Sequence, residues 1–250
     1  MRVLVLGARA TGLLATARAR DLFVVAVDRD PRAPGFALAH RRAILPGDDE
    51  PALERLVEAV RIDALIATGR ETGAAARIAG RFRLPHPHSP ETGILLGSRL
   101  RQRERLREAG VPQVRWSLVT GATEAGFPCV VTPPDRKGRR LAEEAPGAAE
   151  VTVTGFSSSG ELHPLLGSGP AAGLARRAAE ALGVTDGLTS TRVRLGLGGP
   201  RVVDIRAQVG DREAELCRLL HGVDVHGLAL DAALGRAEYV RFGTADAQVA

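Results

Sequence analysis

Two apolar strands with a helix between them open the chain, and this unit constrains the fold more than any other feature. Arg2-Val-Leu-Val-Leu-Gly7 is a continuous apolar run closed by glycine, the pattern of a strand covered on both faces. Gly12 to Arg20 places leucine and alanine on one helical face, and Leu22 to Val27 is a second apolar run ending at Asp28. Strand, helix and strand in that order require a parallel pair with a right-handed crossover. A strand at Ala43 to Leu45, an acid-led helix from Asp49 to Val60, a strand from Asp63 to Thr68 and a helix from Thr72 to Ala79 extend the pattern. Residues 1–92 are therefore expected to form an α/β unit around a parallel sheet.

In such sheets ligands bind at the carboxyl ends of the strands. The glycine turn there, Gly7-Ala-Arg-Ala-Thr-Gly12, departs from the dinucleotide fingerprint because Arg9 stands where a glycine lets the backbone approach pyrophosphate. Thr11-Gly12-Leu13 does not supply the Gly-Lys-Ser/Thr ending of a P-loop. The expected role of the turn is to seat the first helix, leaving its N-terminus free for an anion. Gly7, Arg9, Thr11, Thr68, Arg70 and Glu71 are the candidate substrate contacts at this edge.

Charge does not indicate a nucleic-acid partner. The net charge is +5, and all 34 basic residues except Lys137 are arginines, interleaved with Asp and Glu along the chain rather than clustered. A nucleic-acid footprint needs a basic patch without interleaved carboxylates. Cys129 and Cys217 are far apart in apolar contexts and are expected to be buried thiols. The N-terminus runs straight into a strand, and no apolar run reaches bilayer length, so no membrane association and a cytoplasmic location are expected. His86 and His88 lie in the proline-rich stretch Pro85 to Pro90 without a further ligand cluster, and are expected in a solvated loop.

Residues 93–250 read as an α+β region. Ser98 to Ala109 predicts a helix dense in Arg and Glu, and Pro170 to Leu182 a second helix with proline near its start and Gly183 past its end. Strands are expected at Arg115 to Val119, Gly126 to Val131 and Val151 to Thr154. Arg192 to Leu197 and Arg201 to Ile205 flank Gly198-Gly199 as a hairpin. Asp211 to Leu220 and Leu228 to Leu234 are expected to be helical.

The order of motifs in this half is specific. A basic residue, Arg99, opens a helix that ends in Glu108-Ala-Gly-Val-Pro112. Gly126-Phe-Pro-Cys-Val-Val-Thr-Pro133, Glu143-Glu-Ala-Pro-Gly147, Glu150-Val-Thr-Val153 and Gly199-Pro-Arg-Val-Val-Asp-Ile205 follow, then His221-Gly-Val-Asp224 and Ala232-Ala-Leu-Gly235. This series resembles the ATP-grasp family, particularly its carbamoyl-phosphate-synthase-like carboxylate–amine ligases. The resemblance implies a Rossmann-like pre-ATP-grasp domain over 1–92 and a reduced ATP-grasp domain over 93–250, with a contracted lid subdomain at about 115–160. It also implies a small-molecule carboxylate or amine substrate, ATP and Mg2+ as cofactors, and a homodimer or partner subunit as a further association.

Carried over residue by residue, the resemblance assigns Arg99 to a phosphate-binding lysine position and Thr132, uncharged, to the second. It assigns Glu143 and Glu144 to the adenine hinge, Glu150 to the glutamate opening the next strand, and Asp204 with Glu150 to the metal. Arg206 stands at the metal-binding Asn position, where a guanidinium cannot ligate a cation. Gln208 replaces an arginine, and Arg192 and Arg194 occupy the strand that usually carries another acid. Only Pro134 to Leu141 separates the Thr132 strand from the hinge, too little for the glycine-rich phosphate lid. Lys137 and its neighbours form either a basic remnant that attracts an anion or a solvated loop.

Because the losses fall among the charges that phosphoryl transfer requires, the favoured expectation is a degenerate family member, a pseudoenzyme that keeps small-molecule or partner binding without ATP/Mg2+ chemistry. The alternatives are an active ATP-dependent ligase using Arg99 and Asp204, and a Rossmann-type NAD(P)-binding protein.

Overall fold

The computed structural model describes residues 1–67, 69–133, 138–147 and 149–236. Its first half contains β1 (Arg2–Leu6), α1 (Thr11–Ala19), β2 (Phe23–Asp28), β3 (Arg41–Ile44), α2 (Glu50–Val60), β4 (Ala64–Ala67) and α3 (Thr72–Phe82). The four strands form a parallel sheet in the order β3-β2-β1-β4. Alternation along the strands divides the core in two. Val3, Val5, Val24 and Ala26 face Leu13, Leu14 and Phe36, whereas Leu4, Leu6, Val25 and Val27 face Leu53, Val57 and Ile78. The continuous apolar runs thus arise because both faces are covered.

The second half contains α4 (Pro90–Gly97), α5 (Arg99–Glu108), β5 (Trp116–Val119), β6 (Cys129–Val131), β7 (Arg140–Glu144), β8 (Glu150–Ser158), β9 (Glu161–Leu166) and α6 (Gly169–Ala181). After them come β10 (Gly187–Arg194), β11 (Arg201–Arg206), α7 (Asp211–His221) and α8 (Val225–Ala233). Two antiparallel sheets result, ordered β5-β7-β6 and β11-β10-β8-β9. Helix α6 covers one face of the larger sheet, burying Leu174, Ala175 and Ala178 with Val153, Val193 and Val202. Helix α8 returns to the parallel sheet, where Leu230, Ala233 and Leu234 join the cluster around Val3.

Three elements escape the sequence reading. Helix α4 starts at Ser89, whose hydroxyl accepts from Thr92 N at 3.1 Å, followed by Pro90 in the first turn. It crosses α3 so closely that a side chain at Gly93 would meet Ala76 Cβ at 2.8 Å. Strand β9 pairs with β8 beyond the turn at Ser159 and Gly160. Strand β7 occupies residues assigned to the lid remnant and hinge, and pairs antiparallel with β6 directly, Cys129 opposite Glu144 and Val131 opposite Ala142.

Candidate functional site

The residues singled out in the second half converge where α5 lies over the hairpin β10–β11. Asp204 and Arg206 are two apart on β11 and so share one face, and Arg192 on β10 stands directly across from Asp204. On α5, Arg99 and Arg103 are four apart and point from one side of the helix toward that face. Asp204 accepts from three arginines. Arg192 Nε reaches its Oδ1 at 2.9 Å and Arg192 Nη2 its Oδ2 at 3.1 Å. Arg206 Nη2 and Arg99 Nη2 reach Oδ2 at 2.9 and 3.1 Å. Burial alone would raise the Asp204 pKa, but hydrogen bonds from Arg192 and the charges of Arg206, Arg192 and Arg99 hold it below the ordinary carboxylate range.

The other acids are engaged in the same way. Glu143, 6% exposed, accepts from Arg99 Nη1 at 2.7 Å and from Arg103 Nε at 2.8 Å. Glu150 accepts from Arg194 Nη2 at 3.0 Å and lies 3.6 Å from Arg192 Nη1. Glu144 accepts from Arg115 N and pairs with Arg194 and Arg201. Glu143 and Glu144, expected in an adenine hinge, therefore end a strand with their carboxylates committed to arginines.

Gln102 and Arg103, which sequence reasoning passes over, do much of the positioning. Strand β11 is an edge of its sheet, with backbone groups that would otherwise lack partners. Gln102 Nε2 donates to Ile205 O at 2.8 Å and its Oε1 accepts from Ile205 N at 3.3 Å. Arg103 Nη1 donates to Val202 O at 3.2 Å, and its Nη2 to Val203 O. The buried positions Gln102, Arg103 and Leu106 trace the inner face of α5. The available signal is that helical spacing, hidden because the face is polar.

Beside the cluster is a cleft of about 710 Å³, bounded by Thr132, Pro133 and Leu141 on one side and by Arg70, Arg99, Asp204, Arg206 and Gln208 on the other. Thr132 does not act as a cation substitute. Its N–H donates to Leu141 O at 2.9 Å and its Oγ1 accepts from Leu141 N at 3.0 Å, closing the β6–β7 hairpin. Lys137 and Thr68 lie outside the described residues.

The expected substrate edge is divided. Arg70 is exposed on the cleft wall. Glu71 precedes α3. Gly7 has φ 95°, and its N–H donates to Val27 O at 2.8 Å. Arg9 turns to Asp30 at 2.8 Å. The N-terminus of α1 is not free for an anion, because the chain's own Asp211 fills it: Thr11 Oγ1 donates to Asp211 Oδ2 at 2.9 Å and Gly12 N to Oδ1 at 3.3 Å. Asp28 accepts from Ala8 N and Asp30 N, which commits the carboxylate a dinucleotide ribose would need.

His86 and His88 are also not in a solvated loop. With His226, Leu13, Ile66 and Leu188 they line a second, largely apolar cavity of about 50 Å³. His88 is 7% exposed and its Nδ1 has no partner among the described residues. Burial, followed by the charge of His86, pushes its pKa down to about 3. Of the two cysteines, Cys217 is buried as expected but Cys129 on β6 is half-buried.

Comparison with solved structures settles the architecture. An L-amino acid ligase from Bacillus licheniformis superposes with a TM-score of 0.78 at 18% identity, covering 93% of this chain and 74% of that one. An N5-carboxyaminoimidazole synthetase from Staphylococcus aureus complexed with ADP gives a TM-score of 0.73 at 15% identity, covering 95% and 78%. The chain has the ATP-grasp fold. In sequence, a formate-dependent phosphoribosylglycinamide formyltransferase from Paraburkholderia xenovorans is 30% identical over 145 residues, covering 53% of this chain. The chain spans only 36% of the length of that relative. No protein-family model matches the chain. No helix among the described residues is long and apolar enough to cross a membrane.

ATP-grasp ligases bring magnesium to their nucleotide, so the fit of that ion can be tested on the residues present. Magnesium demands near-octahedral oxygen ligation. Both Asp204 oxygens already accept from guanidinium groups, and the neighbours along and across the strands are Arg206 and Arg192. A divalent ion on Asp204 would face the guanidinium groups of Arg99, Arg192 and Arg206, all within hydrogen-bond distance of that carboxylate, and would have to displace them and give up its own water to bind. The residues do not fit a magnesium ion.

Proposed function

We propose that this chain is an ATP-grasp-fold protein that binds a small anionic ligand in the cleft between the β5–β7–β6 sheet and the β10–β11 hairpin, without magnesium-dependent acyl-phosphate chemistry. The observation that carries this reading is the saturation of Asp204 by Arg99, Arg192 and Arg206. Phosphoryl transfer depends on cations and metal-binding oxygens placed where charge develops, and removing one such contact typically costs a factor of about 100 to 1,000 in rate. Here the second phosphate cation position is a hairpin-closing threonine, and the metal-binding carboxylate is in an ion pair. The relatives named above are an L-amino acid ligase, an N5-carboxyaminoimidazole synthetase solved with ADP, and a formate-dependent phosphoribosylglycinamide formyltransferase. A nucleotide, or a carboxylate of similar charge, is accordingly the ligand class expected for the cleft.

The competing reading is an active ATP-dependent ligase. It is favoured by Arg99, which lies on the cleft wall beside Asp204 as a phosphate-binding cation would. ADP release from MgATP, measured with pooled small carboxylates, including formate and amino acids, and an amine acceptor, separates the two. The expected result is no release above the protein-free rate. Steady release that disappears in Asp204→Asn would establish the ligase and overturn the proposal.

A further inference from the structure

The chemistry that excludes magnesium also describes what the cleft accepts. Among the described residues its walls carry Arg70, Arg99 and Arg206 against Asp204, so three positive groups face one negative group. Behind the wall, Arg192 shares Asp204 with Arg206 and Arg99, and Arg103 and Arg194 offset Glu143 and Glu150. In this network of described residues, the six arginines 99, 103, 192, 194, 201 and 206 oppose the four acids 143, 144, 150 and 204, an excess of two charges without counting Arg70.

The ion pairs leave donors over. Arg206 spends Nε and Nη2 on Asp204, and its Nη1 has no partner among the described residues, while half of the side chain is exposed. Guanidinium groups bind phosphoryl oxygens through paired N–H donors, so they can neutralise a polyanion as a metal does. Their placement is fixed by the sheet: alternation sets Arg206 and Asp204 on one face, and cross-strand register sets Arg192 opposite. Asp204 orders the three arginines instead of receiving a metal.

We propose that the guanidinium groups of Arg99 and Arg206 on the cleft wall, backed by Arg192 behind it, take the place of divalent cations in this cleft, which receives a phosphoryl-bearing anion of the nucleoside di- or triphosphate class free of metal and in competition with magnesium. The proposal rests on the preceding reading only in that Asp204 holds no metal. Magnesium competes because it covers the phosphoryl oxygens and brings a second positive charge toward the three arginines.

Calorimetric titration of the full chain with ATP and, separately, with inorganic tripolyphosphate tests this, each in EDTA and in excess MgCl2. Both anions are expected to bind in EDTA and to weaken in magnesium. Arg206→Gln, on a half-exposed side chain, should weaken both by about tenfold or more through loss of a charge-assisted contact. Asp204→Asn should tighten both, the reverse of what a metal ligand would show. Circular dichroism establishes that each variant is folded, and if Asp204→Asn is not, Arg206→Gln decides. Binding that requires magnesium, binding of neither anion in EDTA, or ATP binding indifferent to Arg206→Gln would each overturn the proposal. ADP release would instead overturn the functional reading, whereas absent metal-free binding without ADP release overturns only this inference.

Discussion

The parallel sheet and the β10–β11 hairpin hold their centres together by opposite means. Around β1 the buried cluster side chains are apolar, aliphatic apart from Phe36, and carry no charge that needs an answer. Around Asp204 the centre is ionic, with Asp204, Glu143 and Arg103 nearly removed from solvent and bonded to one another through Arg99. The apolar centre is a sum of many small transfer and packing terms. In the ionic one, each buried charge is tolerable only while its partners remain. Loss of one member should therefore cost more there than loss of a large aliphatic side chain in the sheet, and should be recoverable by removing the partner as well.

The largest effect expected is that of Arg103→Met. It strips Glu143 of its most buried partner and leaves the edge carbonyl of Val203 without its side-chain donor, at a cost of roughly 4 kcal/mol. Urea unfolding of the single variant and of Arg103→Met with Glu143→Leu should show at least half of the loss restored in the pair. No restoration would mean that the cluster is packed like the sheet rather than balanced by charge.

Leu65→Ala, in the middle of β4, should cost roughly 3 kcal/mol by the ordinary cavity rule. Combined with Arg103→Met the two losses should add to within about 0.5 kcal/mol, because the clusters share no residue. Strong coupling in the double variant would show that the two centres respond as one.

This contrast also explains what is legible in the sequence. Arg2 to Leu6 and Phe23 to Val27 announce buried parallel strands because period-two alternation with both faces covered leaves an unbroken apolar run. The ionic centre leaves no such trace. Helix α5, Arg-Leu-Arg-Gln-Arg-Glu-Arg-Leu-Arg-Glu, reads as a solvated helix, and only the structure shows Gln102 and Arg103 bonded to the edge of β11. The positions Arg99, Thr132, Glu143, Glu150 and Asp204 can be marked from motif order, but their partners cannot, since Arg99 and Asp204 are brought together across 105 residues of chain. Asp211 reaching the N-terminus of α1 from 200 residues away is illegible for the same reason.

A third test addresses the junction of the two halves, where His88 is buried beside Gly187. Its pKa in the folded chain is about 3, against about 6.5 when unfolded. The unfolded chain therefore binds the proton more tightly, so the stability associated with neutral His88 is present above pH 6.5 and is lost progressively as the pH falls toward 3. Between pH 7 and pH 5 the loss should be about 2 kcal/mol. In His88→Phe this component should vanish, so the fall in stability between those pH values should be smaller than in the unaltered chain by that amount. Parallel slopes in the two proteins would place His88 in contact with solvent.

The smallest effect concerns Thr132, and it separates a structural part from a missing cation. If the residue serves only to close the hairpin, Thr132→Val should remove the acceptor for Leu141 N and cost about 1 kcal/mol, the net worth of a partly buried hydrogen bond. The backbone bond from Thr132 N to Leu141 O survives the change, so strands β6 and β7 should stay paired. Anion affinity in EDTA should stay within about twofold, since a hydroxyl already engaged with the backbone brings no charge to the cleft. Thermal unfolding and the same calorimetric titration give both readings. A large fall in affinity with little change in stability would make Thr132 a ligand contact. Part of the cleft's recognition would then lie on the β5–β7–β6 sheet rather than wholly on the arginine face.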